Sequence, residues 1–316
     1  MHETTLAFGP DHGLIGTLTL PAAHLDAPAA PCGMVLFNAG VVHRVGPHRI
    51  NVKLARELAR HGIPTIRFDL HGMGDSLGAD GQLNYQQQVV HDLQAAMDTL
   101  QAAARVPHFT LLGFCSGALP SYWTALQDTR VRHIILYDAF FLQTTRSRWR
   151  FFRVRLRNHG LKATALALYL RRVVNLLGWL PRGLASKLRQ LHAEPAAPVN
   201  GRPTKAQLGP GFAQLAHKGV QVSVVQSGAD FSNVNYAAQI VEAFGLDDAP
   251  IPSLRTGWLA PIDHIMTSIN AQRAFIDWVC ADVLARRASA VDPLPSPSRD
   301  SSPPFEPAQA CDSGRA

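Results

Sequence analysis

Four short apolar runs, each separated from the next by a helical pattern, constrain this chain more than any other feature. They are Cys32–Asn38, Pro64–Asp69, Phe109–Gly113 and His133–Tyr137. Cys32–Asn38 is continuous where a half-exposed strand would alternate, as expected for a strand covered on both faces. Between them, Pro47–His61 reads as a helix that Gly62 stops. Tyr85–Ala104 carries Val89, Leu93, Ala96, Met97 and Leu100 at helical spacing, and Gly117–Gln127 forms a third helix. Strand and helix in alternation require a parallel sheet with helices on both faces, and right-handed crossovers set its winding. Thr4–Phe8 and Leu14–Leu20 form an opening hairpin around Asp11-His12-Gly13. With 47% hydrophobic residues in 316, the chain has enough apolar material for such a core.

The alternation breaks after Asp138. Residues 141–215 show no clear strand and look helical, as in Leu161–Leu180. Strand patterns return at Val220–Val225 and near Pro252–Thr256, and a last helix runs from Ser268 to Ala285. The expected organisation is an α/β core from 1–140 and 216–287, a helical cap at 141–215 and a tail at 288–316. The tail holds six prolines and six serines and is expected to be disordered, because it has too little apolar surface to offset ordering entropy. Charge is uneven. Residues 141–205 hold 14 Lys or Arg against Glu194 alone, a net +13, which leaves about −6 for the rest of a chain of +7.

Several classes are excluded at this level. No run of about 18 apolar residues exists to span a membrane, and the opening residues lack a basic region followed by an apolar stretch. Four cysteines without a CxxC pair suit neither a disulfide framework nor a zinc site. A reducing cytoplasm is therefore the expected compartment. Asp69-Leu70-His71-Gly72-Met73-Gly74-Asp75-Ser76 is glycine-rich, but it has neither dinucleotide-binding nor P-loop spacing and reads as a structural turn. No cofactor and no metal are expected.

Chemistry concentrates at Gly113-Phe114-Cys115-Ser116-Gly117, between a strand and a helix. This is the spacing of a nucleophile elbow, a tight turn that presents one strained residue at the sheet edge. Small residues two before and two after let strand and helix approach, and with Cys115 as nucleophile both are glycine. With Ser116 in that role, Phe114 would crowd the turn. The frame therefore favours Cys115, beside a helix N-terminus that suits a thiolate. The Ser116 backbone N–H then becomes one oxyanion donor, and Gly40 or Val41, after the Cys32–Asn38 strand, supplies the second. His264, between the last strand and the last helix, is the expected base. Asp230, in the turn after a strand, is the expected acid; Asp138 also ends a strand and is the alternative. Asp263 reads as structural. Arg44, His48 and Arg49 are candidates to bind an anionic group on the substrate.

Together, the elbow, Asp69-x-His71-Gly72-x-Gly74-x-Ser76, Ser227-Gly228-x-Asp230 and Asp263-His264 resemble the α/β-hydrolase superfamily. More narrowly, the cysteine elbow with Arg44-x-Gly46-x-His48-Arg49 resembles the exosortase-system-associated hydrolases. Two positions depart from the pattern: His71 replaces the usual Arg, and Ser116 stands where those relatives more often have an acidic residue. Cysteine in the elbow also resembles dienelactone hydrolase and the polyhydroxyalkanoate synthases, which are acyltransferases. The resemblance implies an α/β-hydrolase fold with a cap and a Cys-His-Asp triad that cleaves an ester or thioester through an acyl-cysteine. The rivals are transfer of the acyl group to an alcohol or amine, and a non-catalytic binding protein on the same fold. Arginines 146, 148, 150, 153, 155 and 157, interleaved with Trp149, Phe151 and Phe152, suit an acyl carrier protein, coenzyme A or a membrane surface. No nucleic-acid motif accompanies them.

Overall fold

The computed structural model describes residues 1–22, 30–139, 144–157, 160, 205–228, 234–244, 253–260 and 262–289. Eight strands form one sheet: β1 (His2–Phe8), β2 (Leu14–Leu20), β3 (Gly33–Leu36), β4 (Thr65–Phe68), β5 (Phe109–Phe114), β6 (Val131–Tyr137), β7 (Gln221–Ser227) and β8 (Leu254–Leu259). Their order is β1-β2-β4-β3-β5-β6-β7-β8. The β1–β2 hairpin joins antiparallel to β4, and every pairing from β4 to β8 is parallel. The inversion between β3 and β4 puts β3 beside β5, with Leu36 opposite Leu112. This register brings the ends of β3 and β5 to the same edge, where the loop after one meets the elbow after the other.

Helices cover both faces, as the alternation requires. On one side lie α1 (Ile50–Arg60) and the last helix, α7 (Ile269–Ser289), packing Leu54, Leu58, Phe275 and Val279 against Met34, Leu36 and Leu112. On the other lie α2 (Tyr85–Ala104) and α3 (Ala118–Gln127), packing Leu93, Met97 and Trp123 against Val35, Phe68 and Leu111. Adjacent residues of β3 thus enter opposite cores, Met34 and Leu36 one and Val35 the other, which explains why that strand is apolar throughout. The N-terminus of α2 matches the expected boundary: Asn84 accepts from Gln87 N–H while Gln87 returns a bond to Asn84 N–H.

After β6 the described residues resume at 144 and form a helix, α4, over 145–157. The next described helices are α5 (Lys205–His217) and the short α6 (Gln239–Phe244). Leu208, Phe212 and Leu215, at helical spacing, seat α5 on the sheet beside Tyr122. This part of the segment read above as cap therefore packs on the core. The expected helix Leu161–Leu180 and residues 290–316 of the expected tail lie outside the described residues.

Candidate active site

The elbow forms as its glycines demand. Cys115 is half-buried and adopts φ 51, the left-handed region that non-glycine residues rarely occupy. Strand β5 and the helical turn beyond it meet so closely that a Cβ on Gly113 would lie 2.6 Å from Gly117 O and 2.7 Å from Ala118 Cα. A Cβ on Gly117 would lie 3.2 Å from Asn38 O, so the elbow also abuts the end of β3.

His264 comes to the elbow from the loop between β8 and α7. Its ring packs 5.3 Å from Phe114 and 6.5 Å from Tyr137, and Tyr137 Oη donates to Asp263 O at 3.3 Å. The Cys115 thiol lies close enough to the His264 imidazole to raise its pKa. Nδ1 donates to Asp138 Oδ2 at 2.7 Å, which leaves Nε2 as the ring nitrogen for the thiol. Asp138 is buried at the end of β6 with φ 47. Ser227, at the end of β7, holds it with both donors: the backbone N–H to Oδ1 at 2.6 Å and the hydroxyl to Oδ2 at 2.7 Å. The hydrogen bond to Asp138, then the interaction with Cys115, raise the His264 pKa to about 10, against burial, which lowers it.

Asp230, the expected acid, lies outside the described residues; among those described, the carboxylate on His264 Nδ1 is that of Asp138, the alternative. The physical reason is adjacency: β6 and β7 pair in parallel, so the residue after β6 sits beside the last residue of β7. Ser227 went unnoticed in the sequence as a partner of the acid. Asp263 behaves as a structural residue, accepting from Thr267 N–H at 2.8 Å and from its hydroxyl.

Of the oxyanion candidates, Gly40 reaches the elbow: its N–H donates to Ser116 Oγ at 2.6 Å. The Val41 side chain points outward and is 92% exposed. The loop carrying Gly40 is tied down from behind. Asn38 Nδ2 donates to Val42 O at 2.7 Å and to the buried Asp69 Oδ1 at 2.8 Å, and Asn38 Oδ1 accepts from Leu70 N–H.

Arg44 belongs to that scaffold, which corrects its expected role at the substrate. Its guanidinium is buried, with Nη1 2.5 Å from Asp69 Oδ2 and 2.6 Å from Asp75 Oδ2, and its own N–H donates to Asp69 Oδ1. A cation paired with two carboxylates behind the loop is not offered to a ligand. His43, Asp69 and Asp75 bring potential metal-ligand atoms together, but the Arg44 guanidinium already supplies the positive charge there. The glycine-rich turn after β4 builds this scaffold: a Cβ on Gly74 would lie 2.3 Å from Asp69 Cγ. His71, where the usual Arg is absent, bonds Asp92 of α2 through Nδ1 at 2.6 Å. His48 and Arg49 are exposed, in consecutive left-handed conformations at φ 49 and φ 59. Asp263 is held below the usual carboxylate range first by the Thr267 hydroxyl and then by the Thr267 backbone N–H, against burial, which raises it.

An imidazole between a carboxylate and a thiol, at the carboxyl edge of a mostly parallel sheet, defines an α/β-hydrolase. Over residues 29–223 the sequence matches the hydrolase family described as serine aminopeptidase, S33, and the chain belongs to that family. It is an enzyme of hydrolase type, with cysteine at the elbow of a family named for serine. No curated protein matches the sequence. Among solved structures, the chain is similar to a proline iminopeptidase of Mycobacterium smegmatis (17% identity, TM-score 0.52, covering 92% of this chain and 100% of that one). It is also similar to an esterase of Pyrococcus furiosus (13%, 0.51, 90% and 91%) and to Est1E of Butyrivibrio proteoclasticus (14%, 0.51, 90% and 99%). At these identities the likeness is one of fold. Among the described residues, no helix is long and apolar enough to cross a membrane.

Proposed function

We propose that this hydrolase cleaves an ester or thioester through a covalent acyl-cysteine, with Cys115 as nucleophile, His264 as proton carrier and Asp138 as the acid that orients it. The observation carrying this reading is the His264 ring held between Asp138 and Cys115. The Cys115 thiolate, whose proton His264 holds, attacks the carbonyl carbon through Sγ, and the carbonyl π pair moves to oxygen. The backbone N–H groups of Gly40 and Ser116 stabilise that oxygen. When the tetrahedral species collapses, the bond to the leaving group breaks and His264 gives that group its proton. Water then attacks the thioester with His264 as base, releasing the acid and the free thiol. A histidine that titrates near pH 10 enters the first step already protonated, which suits delivery of a proton to the leaving group.

The sequence likeness to the exosortase-system-associated hydrolases, carried by the cysteine elbow and the Arg44–Arg49 segment, supports an intracellular acyl-processing role, and we propose a cytoplasmic one. The helix over 145–157 supports an anionic form of the acyl donor. It presents six arginines with no acidic residue, and Trp149 is 60% exposed beside Phe152. On this reading a coenzyme A or carrier-protein thioester, or one at an anionic lipid surface, is a better substrate than a neutral ester.

The test is intact-mass analysis after a p-nitrophenyl ester pulse, on wild type, Cys115→Ala and Cys115→Ser. Wild type is expected to gain one acyl mass at residue 115. The alanine variant is expected to gain none and to lose turnover by at least about 10⁴-fold. Acylation that persists in Cys115→Ala would remove Cys115 from the mechanism. Supplying an alcohol or amine acceptor during turnover separates hydrolysis from transfer: free acid alone is the expected product.

A further inference from the structure

One contact at the site is made before any substrate arrives. Gly40 N–H, a donor the reaction needs for the developing oxyanion, already donates to Ser116 Oγ at 2.6 Å. Gly40 has φ 57, and a Cβ built there would find Ser116 Oγ, at 3.8 Å, as its near neighbour among the described residues. Among the described residues nothing else lies within 4 Å of that Cβ position. Ser116 itself is exposed, on the short helical turn Cys115–Gly117, and no other hydrogen bond of its hydroxyl is seen among the described residues. An amide N–H makes one strong hydrogen bond at a time, so a substrate oxygen and the serine hydroxyl compete for it.

We propose that Ser116 Oγ is a resident stand-in for the substrate oxygen. It caps Gly40 N–H in the free enzyme, keeps that peptide aimed at the reacting centre, and swings aside when a carbonyl takes its place. This rests on the acyl-cysteine reading above. The physical consequence is selectivity. A neutral hydroxyl and a neutral carbonyl bind an amide about equally, so ground-state binding gains little from the exchange. A charged oxygen binds about twice as strongly as a neutral one. The cap therefore gives way chiefly to an oxygen that develops full negative charge, and the net gain is concentrated in the transition state. Side-chain rotation takes picoseconds to nanoseconds at an exposed site, so the cap acts through competition and not through delay.

The experiment compares wild type with Ser116→Ala, which keeps the residue-116 N–H and removes the competing acceptor. Two quantities are read: the rate of acyl-adduct formation at Cys115 from p-nitrophenyl butyrate, and hydrogen exchange at the Gly40 amide without substrate. The variant is expected to acylate faster by about 3–10-fold, the worth of one neutral hydrogen bond. Its Gly40 amide is expected to exchange faster than in wild type. Adducts forming at the same rate or more slowly in the variant would overturn the cap and leave the acyl-cysteine reading intact. Gly40 exchange unchanged by the substitution also overturns it. Absence of any adduct in both proteins would overturn the inference together with the reading beneath it.

Discussion

Among the described residues, two constellations have nearly the same composition but differ in exposure and in how the histidine is partnered. At the sheet edge, His264 bonds Asp138 through Nδ1; Cys115 lies near enough to the ring to raise its pKa, and the His264 side chain is 37% exposed. Deep between β6, β7 and α7, His133 stands near Asp282 and Ser223, all three buried. There, however, both partners address the same nitrogen. His133 Nε2 lies 3.1 Å from Ser223 Oγ and 3.2 Å from Asp282 Oδ2, and Nδ1 has no hydrogen-bond partner among the described residues. Asp282 also binds Arg255 at 2.7 Å. A proton cannot pass from hydroxyl to carboxylate-backed imidazole through one nitrogen, and no substrate reaches the group. Burial pushes the His133 pKa down, whereas the hydrogen bond to Asp138 and then the interaction with Cys115 push that of His264 up. Residue types alone do not make a triad; distinct nitrogens and access do.

The sharpest way to break this comparison is Asp138→Asn. It keeps the shape and removes the charge that orients His264, so kcat is expected to fall by about 10⁴-fold, as in other triads. The pH profile supplies the sign. The folded His264 pKa is raised, so its stabilising contribution is complete below about pH 6.5 and is lost as pH rises through about 10. Activity that depends on the imidazolium is expected to decline over the same alkaline limb, and the asparagine variant is expected to move that limb to lower pH. Rates within tenfold of wild type would return the acid role to another carboxylate.

The opposite result is expected in the interior. Asp282→Ala strands Arg255 and the buried His133, and urea unfolding is expected to show a loss of about 3–5 kcal/mol. Turnover per folded molecule is expected to stay at the wild-type level, since this cluster touches no reacting atom. A selective loss of kcat would show that the two constellations are coupled. Gly113→Ala tests the edge by geometry: its Cβ would meet Gly117 O at 2.6 Å, with an expected cost of about 1–3 kcal/mol and a slower acylation step. The smallest effect is in acid. His133 is depressed, so its contribution is present above pH 6.5 and is lost as pH falls below that value. Asp282, which burial raises but the His133 and Ser223 bonds and the Arg286 charge together hold at about 2, adds a second loss between about pH 3.8 and 2. In His133→Gln, the stability decline that begins near pH 6.5 is expected to flatten and the more acidic one to shrink, because the His133 interaction that helps hold Asp282 down is removed.

Much of the edge was legible because its signals are local. Gly113 and Gly117 bracket Cys115 within one turn, and the backbone there has little freedom to do anything else. His264 was legible through its place between a strand and the last helix. The acid was less so, because the choice between Asp138 and Asp230 depends on which carboxylate a neighbouring strand secures. Ser227, which secures Asp138, is 89 residues away in sequence. Arg44 shows the same limit. Beside an expected oxyanion loop, a cation reads as a ligand for anions, until Asp69, 25 residues on, is found beneath it.

The order of strands and helices, the elbow and the identity of its thiol follow from the amino-acid sequence by itself, since each depends on spacing, turn chemistry and apolar patterning within a few residues. Which aspartate faces His264, which cation is buried, and which histidine is shut away from solvent were decided only when the sheet assembled. Those outcomes depend on strand pairing and desolvation, which bring together groups that chain proximity never relates.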